Sequence, residues 1–501
     1  MITAPNPTYE PVQNVPQSDL ELPICVETWT EEDDGAVEAA SARRITGLDA
    51  ASALAKGNLG VGCLNLPHAF ALTGWALGSC LFCAVAIQGI YSMSLLTHCK
   101  QLLVDHGKKG KTFMDCAYLA LGEFGQRLVQ VFLFILQVGV CCVFLSLVST
   151  NLEGALTAAN LKLSSGVCTA IVTFVLLMLV LLRFIRDLRW LSAIANAFMI
   201  TAIFTAAIAG LTEVAENIDQ LLPPKASTSS IENIVIFVSA MFFAFEGIGL
   251  VIPIENSFTV GYSHPMEEKR ANKNFRGLLV LAMSFVAFLF LLIGLSASIG
   301  FPDIENGSAT DYLAVRYPSN SWYQIVNGLV IIAVLFTFPL QLTPAIEVLD
   351  EWFGSRCRPL CCTTTTIVQE EMNAGDVTPE ETTQNDEDDW IQDHNHDASL
   401  PYSPSSFWKY EWIFRRWIMV LGCMVMVLAV SNLSALISLF GAIGQTGLAA
   451  MPCLMHLSLQ RQGIAPKNTL RSIIDVFIIL FCAVVMVMGL VFSVREIMET
   501  H

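Results

Sequence analysis

The sequence predicts an all-α polytopic membrane protein of eleven transmembrane helices, the first and sixth broken in mid-membrane. Three observations predict it. The 501 residues are 54% hydrophobic and only 14% charged, and mean hydropathy is +0.58, values outside the range of ordinary soluble chains. Basic residues fall almost wholly on one side of the apolar segments. Two of those segments carry glycine-rich interruptions, where hydrocarbon leaves no partner for a freed backbone group unless the break lines a cavity within the protein.

Apolar segments of membrane-crossing length lie at 46–71, 74–99, 126–152, 164–184, 189–211, 231–257, 277–300, 322–349, 413–431, 434–457 and 473–494. The first contains Lys56-Gly57-Asn58-Leu59-Gly60-Val61-Gly62 and then Pro67. The third and eighth are long enough to tilt or to extend past the bilayer. The sixth holds Met241 to Asn256, with Glu246 at its centre and Gly247, Gly249 and Pro253 after it. A tight turn joins the ninth to the tenth. With a cytoplasmic N-terminus, 22 of the 27 basic residues fall on the cytoplasmic side. Only Lys162, Lys225, Arg316 and Arg495 fall opposite, and Lys56 lies within a span. A missed or invented span would scramble that asymmetry.

The net charge of −17 belongs to two polar stretches. Residues 1–42 hold nine acids and residues 359–408 hold eleven, with no Lys or Arg in either. Without them the body is at about +3. The expected organisation is an acidic, disordered cytoplasmic tail at 1–44 and transmembrane helices one to eight at 45–350. A disordered acidic cytoplasmic loop follows at 351–411, then helices nine to eleven at 412–495 and a short tail at 496–501. No signal peptide is expected, because some forty polar residues precede the first apolar segment.

The 15 cysteines make no disulfide framework. Most lie inside spans, where cysteine is a small apolar residue. Cys357, Cys361 and Cys362 just past the eighth span suit reversible palmitoylation and not a metal site. The sequon Asn306-Gly307-Ser308 falls on the non-cytoplasmic side. Protease, esterase and nucleotide-phosphate motifs are absent, so catalysis is not expected. Neither a resident cofactor nor a metal is expected, and no nucleic acid. The lipid bilayer is an expected partner.

Two interrupted spans, one opening each half of a membrane domain, point to an inverted-repeat secondary transporter with its solute site at the breaks. A break frees N–H groups at the start of one half-helix and carbonyls at the end of the other. The first attract a carboxylate and the second a cation, and an α-amino acid carries both. Candidate binding residues are therefore Asn58, Leu59, Gly60, Val61 and Gly62 on the first span. On the sixth they are Phe243, Ala244, Phe245, Gly247 and Ile248. The glycines admit close approach to the backbone, or only permit tight helix packing. Glu246 is the candidate ion-coupling residue. An acid at bilayer centre costs roughly 2.5–3.5 kcal/mol, so it either stays neutral or is ionised against N–H groups, a cation or Lys56. A structural role, pinning the broken segment by hydrogen bonds, is the alternative. Glu153, Glu255 and Glu347 are expected at the interfaces. His68 is a weaker titratable candidate, and Gln137, Gln341, Thr343 and Pro344 are weaker candidates for the cavity wall.

The first-span motif, Lys56 to Gly62 with Leu66-Pro67, resembles that of the amino acid/auxin permease family. Phe243-Ala244-Phe245-Glu246-Gly247-Ile248-Gly249, with Pro253 and Glu255-Asn256, is similar to the sixth-span motif of its proton-coupled amino acid transporter branch. Phe338 to Ala345 resembles the eighth-span motif of fungal vacuolar exporters. The resemblance covers about 45–495 without the insert. It implies a LeuT-type 5+5 inverted repeat and symport of neutral amino acids with H+ or Na+, in a vacuolar, lysosomal or plasma membrane. Several animal proton-coupled members carry a histidine three residues before the motif lysine. This chain has Ala53 there, so that route for the proton is missing and the coupling ion stays open between H+ and Na+. An amino-acid-sensing receptor of the same fold is the competing expectation.

Overall fold

The computed structural model describes residues 45–499 apart from 109, 182–187, 218–225, 229, 260–264, 305–307, 354–405 and 431. The acidic tail, most of the acidic loop, Cys357, Cys361, Cys362 and Asn306 lie outside the described residues. Every regular element among those described is a helix. Eight are long and apolar enough to cross a membrane: Trp75–Asp105, Glu123–Ala158, Ile194–Glu216, Ile231–Thr259, Lys269–Gly300, Ser321–Trp352, Leu433–Arg461 and Thr469–Met498. Ser165–Leu179 is apolar but shorter.

Both expected breaks are present. The first apolar segment opens with Gly47–Lys56, started by a capping box in which Thr46 and Asp49 exchange hydrogen bonds. The chain then turns through Gly57–Gly60, forms a 3₁₀ turn at Val61–Asn65 and resumes as the helix Leu66–Thr73. In the central segment Ile231–Ala244 ends at Phe245, a 3₁₀ turn spans Glu246–Leu250, and Val251–Thr259 continues. Pro67 and Pro253 fall in the first turns of the resuming helices. A missing N–H loses nothing there, so these prolines start helices rather than end them. Pro339 and Pro344 lie inside Ser321–Phe353, which continues through both.

A third irregularity was not expected. The segment read as an unbroken tenth span winds as a π turn at Gly441–Gln445, between Leu433–Phe440 and Thr446–Arg461. Its glycines let it wedge against neighbours. A Cβ on Gly441 would lie 2.1 Å from the Ser239 carbonyl oxygen, and one on Gly444 2.8 Å from Leu136 Cβ. Two short helices, Phe113–Leu121 and Ala309–Arg316, also lie in stretches expected to be loops. Thr112 with Asp115, and Ser308, cap their N-termini, a local signal at Thr112 visible in the sequence.

The central helix Ile231–Ala244 packs on Leu66–Thr73, on the π turn, on Leu433–Phe440 and on Thr469–Glu499. Glu123–Ala158 packs against Ser321–Phe353, and Pro265–Gly300 against Trp75–Asp105 and Leu188–Glu216. A chain of rings binds four of these elements together. Phe70 meets Phe237 edge-on at 5.1 Å and Phe82 at 6.1 Å, Phe82 meets Phe245 at 5.9 Å, and Phe245 meets Phe290 at 5.5 Å. Phe70 fits because Gly78 and Gly294 carry no side chain: a Cβ at either would lie within 2.9 Å of its ring.

Candidate functional site at two crossed breaks

The two breaks meet side by side, 189 residues apart in sequence. The Gly247 N–H donates to Asn58 Oδ1 at 3.1 Å. The Asn58 amide nitrogen donates to the Leu54 carbonyl at 2.9 Å and touches Met283 Sδ at 3.4 Å. Asn58, only 2% exposed, is thus a bridge: one end satisfies a carbonyl at the end of its own half-helix, the other an N–H freed by the central break.

The glycines of each break face a side chain of the other. A Cβ on Gly57 would lie 2.4 Å from Leu250 Cδ1, on Gly60 2.8 Å from Glu246 Oε1, and on Gly62 3.1 Å from Phe243 Cδ1 and 3.2 Å from Ala244 Cα. A Cβ on Gly247 would lie 2.2 Å from Asn58 Nδ2. Glu246 therefore rests on the bare backbone of Gly60. Its Oε2 is buried without a hydrogen-bond partner. Lys56 is exposed, and none of the ion pairs among the described residues joins it to Glu246.

The structure gathers the remaining residues around this crossing. Leu59, Val61, Phe243, Ala244, Phe245 and Ile248 are buried. Val61 and Gly62 open the 3₁₀ turn, whose first hydrogen bond runs from the Cys63 N–H to the Gly60 carbonyl. Their own N–H groups precede that bond and have no acceptor within the turn. Sequence reasoning missed Gln445, in the π turn, whose amide nitrogen donates to the Phe245 carbonyl at 2.5 Å. Its Oε1, like Gln137 Oε1 and Ser239 Oγ, is buried without a partner. Gly441, Gly444 and Gly447 around it were the available signal, since π turns cluster at functional sites. His68 is buried and bonded to the Ile304 carbonyl at 3.0 Å. Thr343 bonds back to the Pro339 carbonyl of its own helix at 3.0 Å.

Two further polar clusters are buried, the first at the end of the central broken segment and the second among Glu123–Ala158, Ala309–Arg316 and Ser321–Phe353. Glu255 is at a span end, as expected, but it is 1% exposed and pairs with Lys100 at 3.1 Å. Lys100 also donates to Asn256 Oδ1, and Asn256 donates to the Lys111 carbonyl at 2.7 Å. Lys100→Met is expected to lower stability by about 3 kcal/mol, because it removes one partner of a buried ion pair. Adding Glu255→Gln should recover part of the loss, and the melting temperatures of the two variants check it. In the second cluster Ser308 donates to Asn151 Oδ1 at 2.6 Å, and Asn327 to the Asn151 carbonyl at 3.0 Å. Asp311 abuts Gly154 beside them. Burial, and then the charge of Glu153, push its carboxyl up to about 7. A raised acid favours the folded state while protonated. The contribution is complete below 3.8 and lost as pH rises through about 7. Asp311→Asn should remove that fall in melting temperature, and equal pH profiles for variant and wild type would refute it.

Residues 43–495 match the family described as transmembrane amino acid transporter protein. The amino acid transporter ANT1 of Arabidopsis thaliana is 24% identical over 90% of this chain and 92% of its own length. The proton-coupled amino acid transporter-like protein pathetic of Drosophila melanogaster is 26% identical over 61% of this chain and 64% of its own. Vacuolar amino acid transporter 3 of Saccharomyces cerevisiae is 28% identical over 60% of this chain and 41% of its own. Among solved structures, Mhp1, a nucleobase-cation-symport-1 family transporter in a closed conformation with bromovinylhydantoin bound, superposes with a TM-score of 0.53. That match covers 92% of this chain and 95% of Mhp1 at 11% identity, a likeness of fold. Sequence motifs, helical architecture and family match agree: the chain belongs to the amino acid/auxin permease family of membrane-spanning amino acid transporters, a family of transport and not of catalysis.

Proposed function

We propose that the protein is a secondary active transporter that moves small neutral amino acids by alternating access, coupled to a proton or sodium gradient. The observation that carries the proposal is the crossing of the two breaks, with Asn58 bonded to the Gly247 N–H and Glu246 against Gly60. In this reading the N–H groups of Val61 and Gly62 receive the substrate carboxylate. Carbonyls at the ends of Gly47–Lys56 and Ile231–Ala244 receive the ammonium group. Asn58 to Gly62 and Phe243 to Ile248 form the two walls, and Glu246 takes the coupling ion.

The same reading has eleven spans arranged as a LeuT-type 5+5 inverted repeat, with the N-terminus cytoplasmic and the bilayer against the apolar outer faces. A vacuolar or lysosomal membrane and the plasma membrane both suit it. Radiolabelled amino-acid uptake into proteoliposomes, with proton and sodium gradients imposed in separate runs, tests it. Uptake driven by one gradient supports the proposal and names the ion. Binding without flux would replace it with a receptor of the same fold.

A further inference from the structure

A second group of titratable side chains is buried away from the crossing. His456, 1% exposed, and Asp475, 0% exposed, face each other from Thr446–Arg461 and Thr469–Glu499. His456 Nδ1 is 2.5 Å from Asp475 Oδ2, and the Tyr91 hydroxyl donates to Asp475 Oδ1 at 2.8 Å. Three helices therefore converge on one carboxylate. The other imidazole nitrogen, Nε2, lies 3.5 Å from the Gln460 amide nitrogen, and Ser472 donates to Gln460 Oε1 at 2.7 Å. Ser472 also reaches the carbonyl of Asn468, an exposed residue in the turn that joins the two helices.

With the Ser472 hydrogen on the shorter of its two bonds, to Gln460 Oε1, one protonation pattern follows. Ser472 presents a hydroxyl hydrogen to Gln460 Oε1, which leaves the Gln460 NH₂ facing His456 Nε2. That nitrogen must then be an acceptor, so the proton of the neutral ring is on Nδ1, aimed at Asp475. The cluster then carries one buried negative charge, supported by one imidazole N–H, one phenol O–H and the Cys453 thiol. Uptake of one proton from water at Nε2 forms an N–H bond there and gives an imidazolium–carboxylate pair of zero net charge. No other bond breaks, but the new N–H points at the Gln460 NH₂. Gln460 must turn over to present its oxygen; its NH₂ then donates to Ser472 Oγ, and the Ser472 hydrogen passes to the Asn468 carbonyl beside the turn, 3.0 Å away.

We propose that His456 and Asp475, with Tyr91, form a proton-binding site separate from Glu246, whose occupancy is reported through Gln460 and Ser472 to the turn between their helices. Its ligand is a proton. The surrounding groups that bear on it are few. His98 of Trp75–Asp105 stands 6.2 Å away ring to ring and is held by Arg276 of Pro265–Gly300 at 3.3 Å. Cys99 lies on the same helix as His98, with Cys116 of Phe113–Leu121 behind it. Cys453, Cys482 and Arg471 stand on the site's own two helices. Neither flux nor an identified substrate is needed for this inference, so a failure of the transport reading leaves it standing.

The test is the melting temperature of the purified full-length protein between about pH 5 and 8, the window in which histidine charges. The comparison is made in an Asp311→Asn background, which removes the step that Asp311 itself contributes up to about 7: wild type at the other positions, His456→Gln, His98→Gln and Tyr91→Phe. A one-proton step present in wild type and in His98→Gln, and missing from His456→Gln, supports the site. The same profile in His456→Gln as in wild type overturns it, as does a wild type without the step. Should His456→Gln not fold, Tyr91→Phe decides. That variant keeps both titrating groups and removes one donor, so the midpoint must move, and an unmoved midpoint overturns the proposal.

Discussion

Glu246→Gln is expected to reduce gradient-driven uptake roughly 10- to 150-fold, the worth of a charge-assisted hydrogen bond of about 1.5–3 kcal/mol. The amide has the shape of the carboxylate, and it fits against Gly60 where Oε1 now rests. Oε2 has no hydrogen bond to lose. Folding should therefore be preserved, and the change falls on charge alone. An amide neither takes up a proton nor neutralises a cation, so the variant should exchange amino acid across the membrane without being driven by the gradient. Uptake and counterflow measured side by side in proteoliposomes check this. Normal uptake with normal ion dependence would remove Glu246 from the mechanism.

Gly247→Ala is the second large effect. The added methyl carbon would lie 2.2 Å from Asn58 Nδ2 and 2.6 Å from its Cγ. Asn58 is a short side chain held at both ends, so it has no slack with which to retreat. Displacing it leaves the Gly247 N–H and the Leu54 carbonyl without their partner, at about 1–3 kcal/mol for each buried group. Uptake should fall to background and the melting temperature should drop. Gly249→Ala is the control. The nearest atom to its Cβ is Leu133 Cδ1 at 3.6 Å, an ordinary contact. That variant should behave like wild type, and equal behaviour of the two alanine variants would refute the bridge.

The breaks were legible in the sequence because their causes are local. Gly57, Gly60 and Gly62 cluster within seven residues of Lys56, and Glu246 stands beside Gly247 in an otherwise apolar run. Helix extents followed from apolar runs and fell within a few residues of the expected ones for most segments. What Asn58 does was not legible, since its acceptor role depends on a contact across 189 residues. The glycine roles split for the same reason. Sequence left open whether Gly57, Gly60 and Gly62 admit a ligand or permit packing, and the structure fills each notch with a side chain from the central break. The π turn escaped because Gly441, Gly444 and Gly447 at a spacing of three look like any small-residue helix face. His456 and Asp475 escaped because each stands near a span end, where a polar residue needs no explanation. Pro253, which follows the interruption in sequence, lies in the first turn of the resuming helix and not within the break itself.

The filled notches bear on affinity. Leu250, Glu246 and Phe243 occupy the space that a ligand would need in order to reach the backbone at Gly57, Gly60 and Gly62. If the proposed site is the binding site, a conformer with those side chains withdrawn is the one competent to bind, and its population enters every measured constant: the apparent Kd is the intrinsic one divided by the competent fraction. A substitution that shortens Leu250 would then tighten binding while touching no ligand. Weak apparent affinity in such a protein would measure how rarely the gap opens, not how poorly it grips.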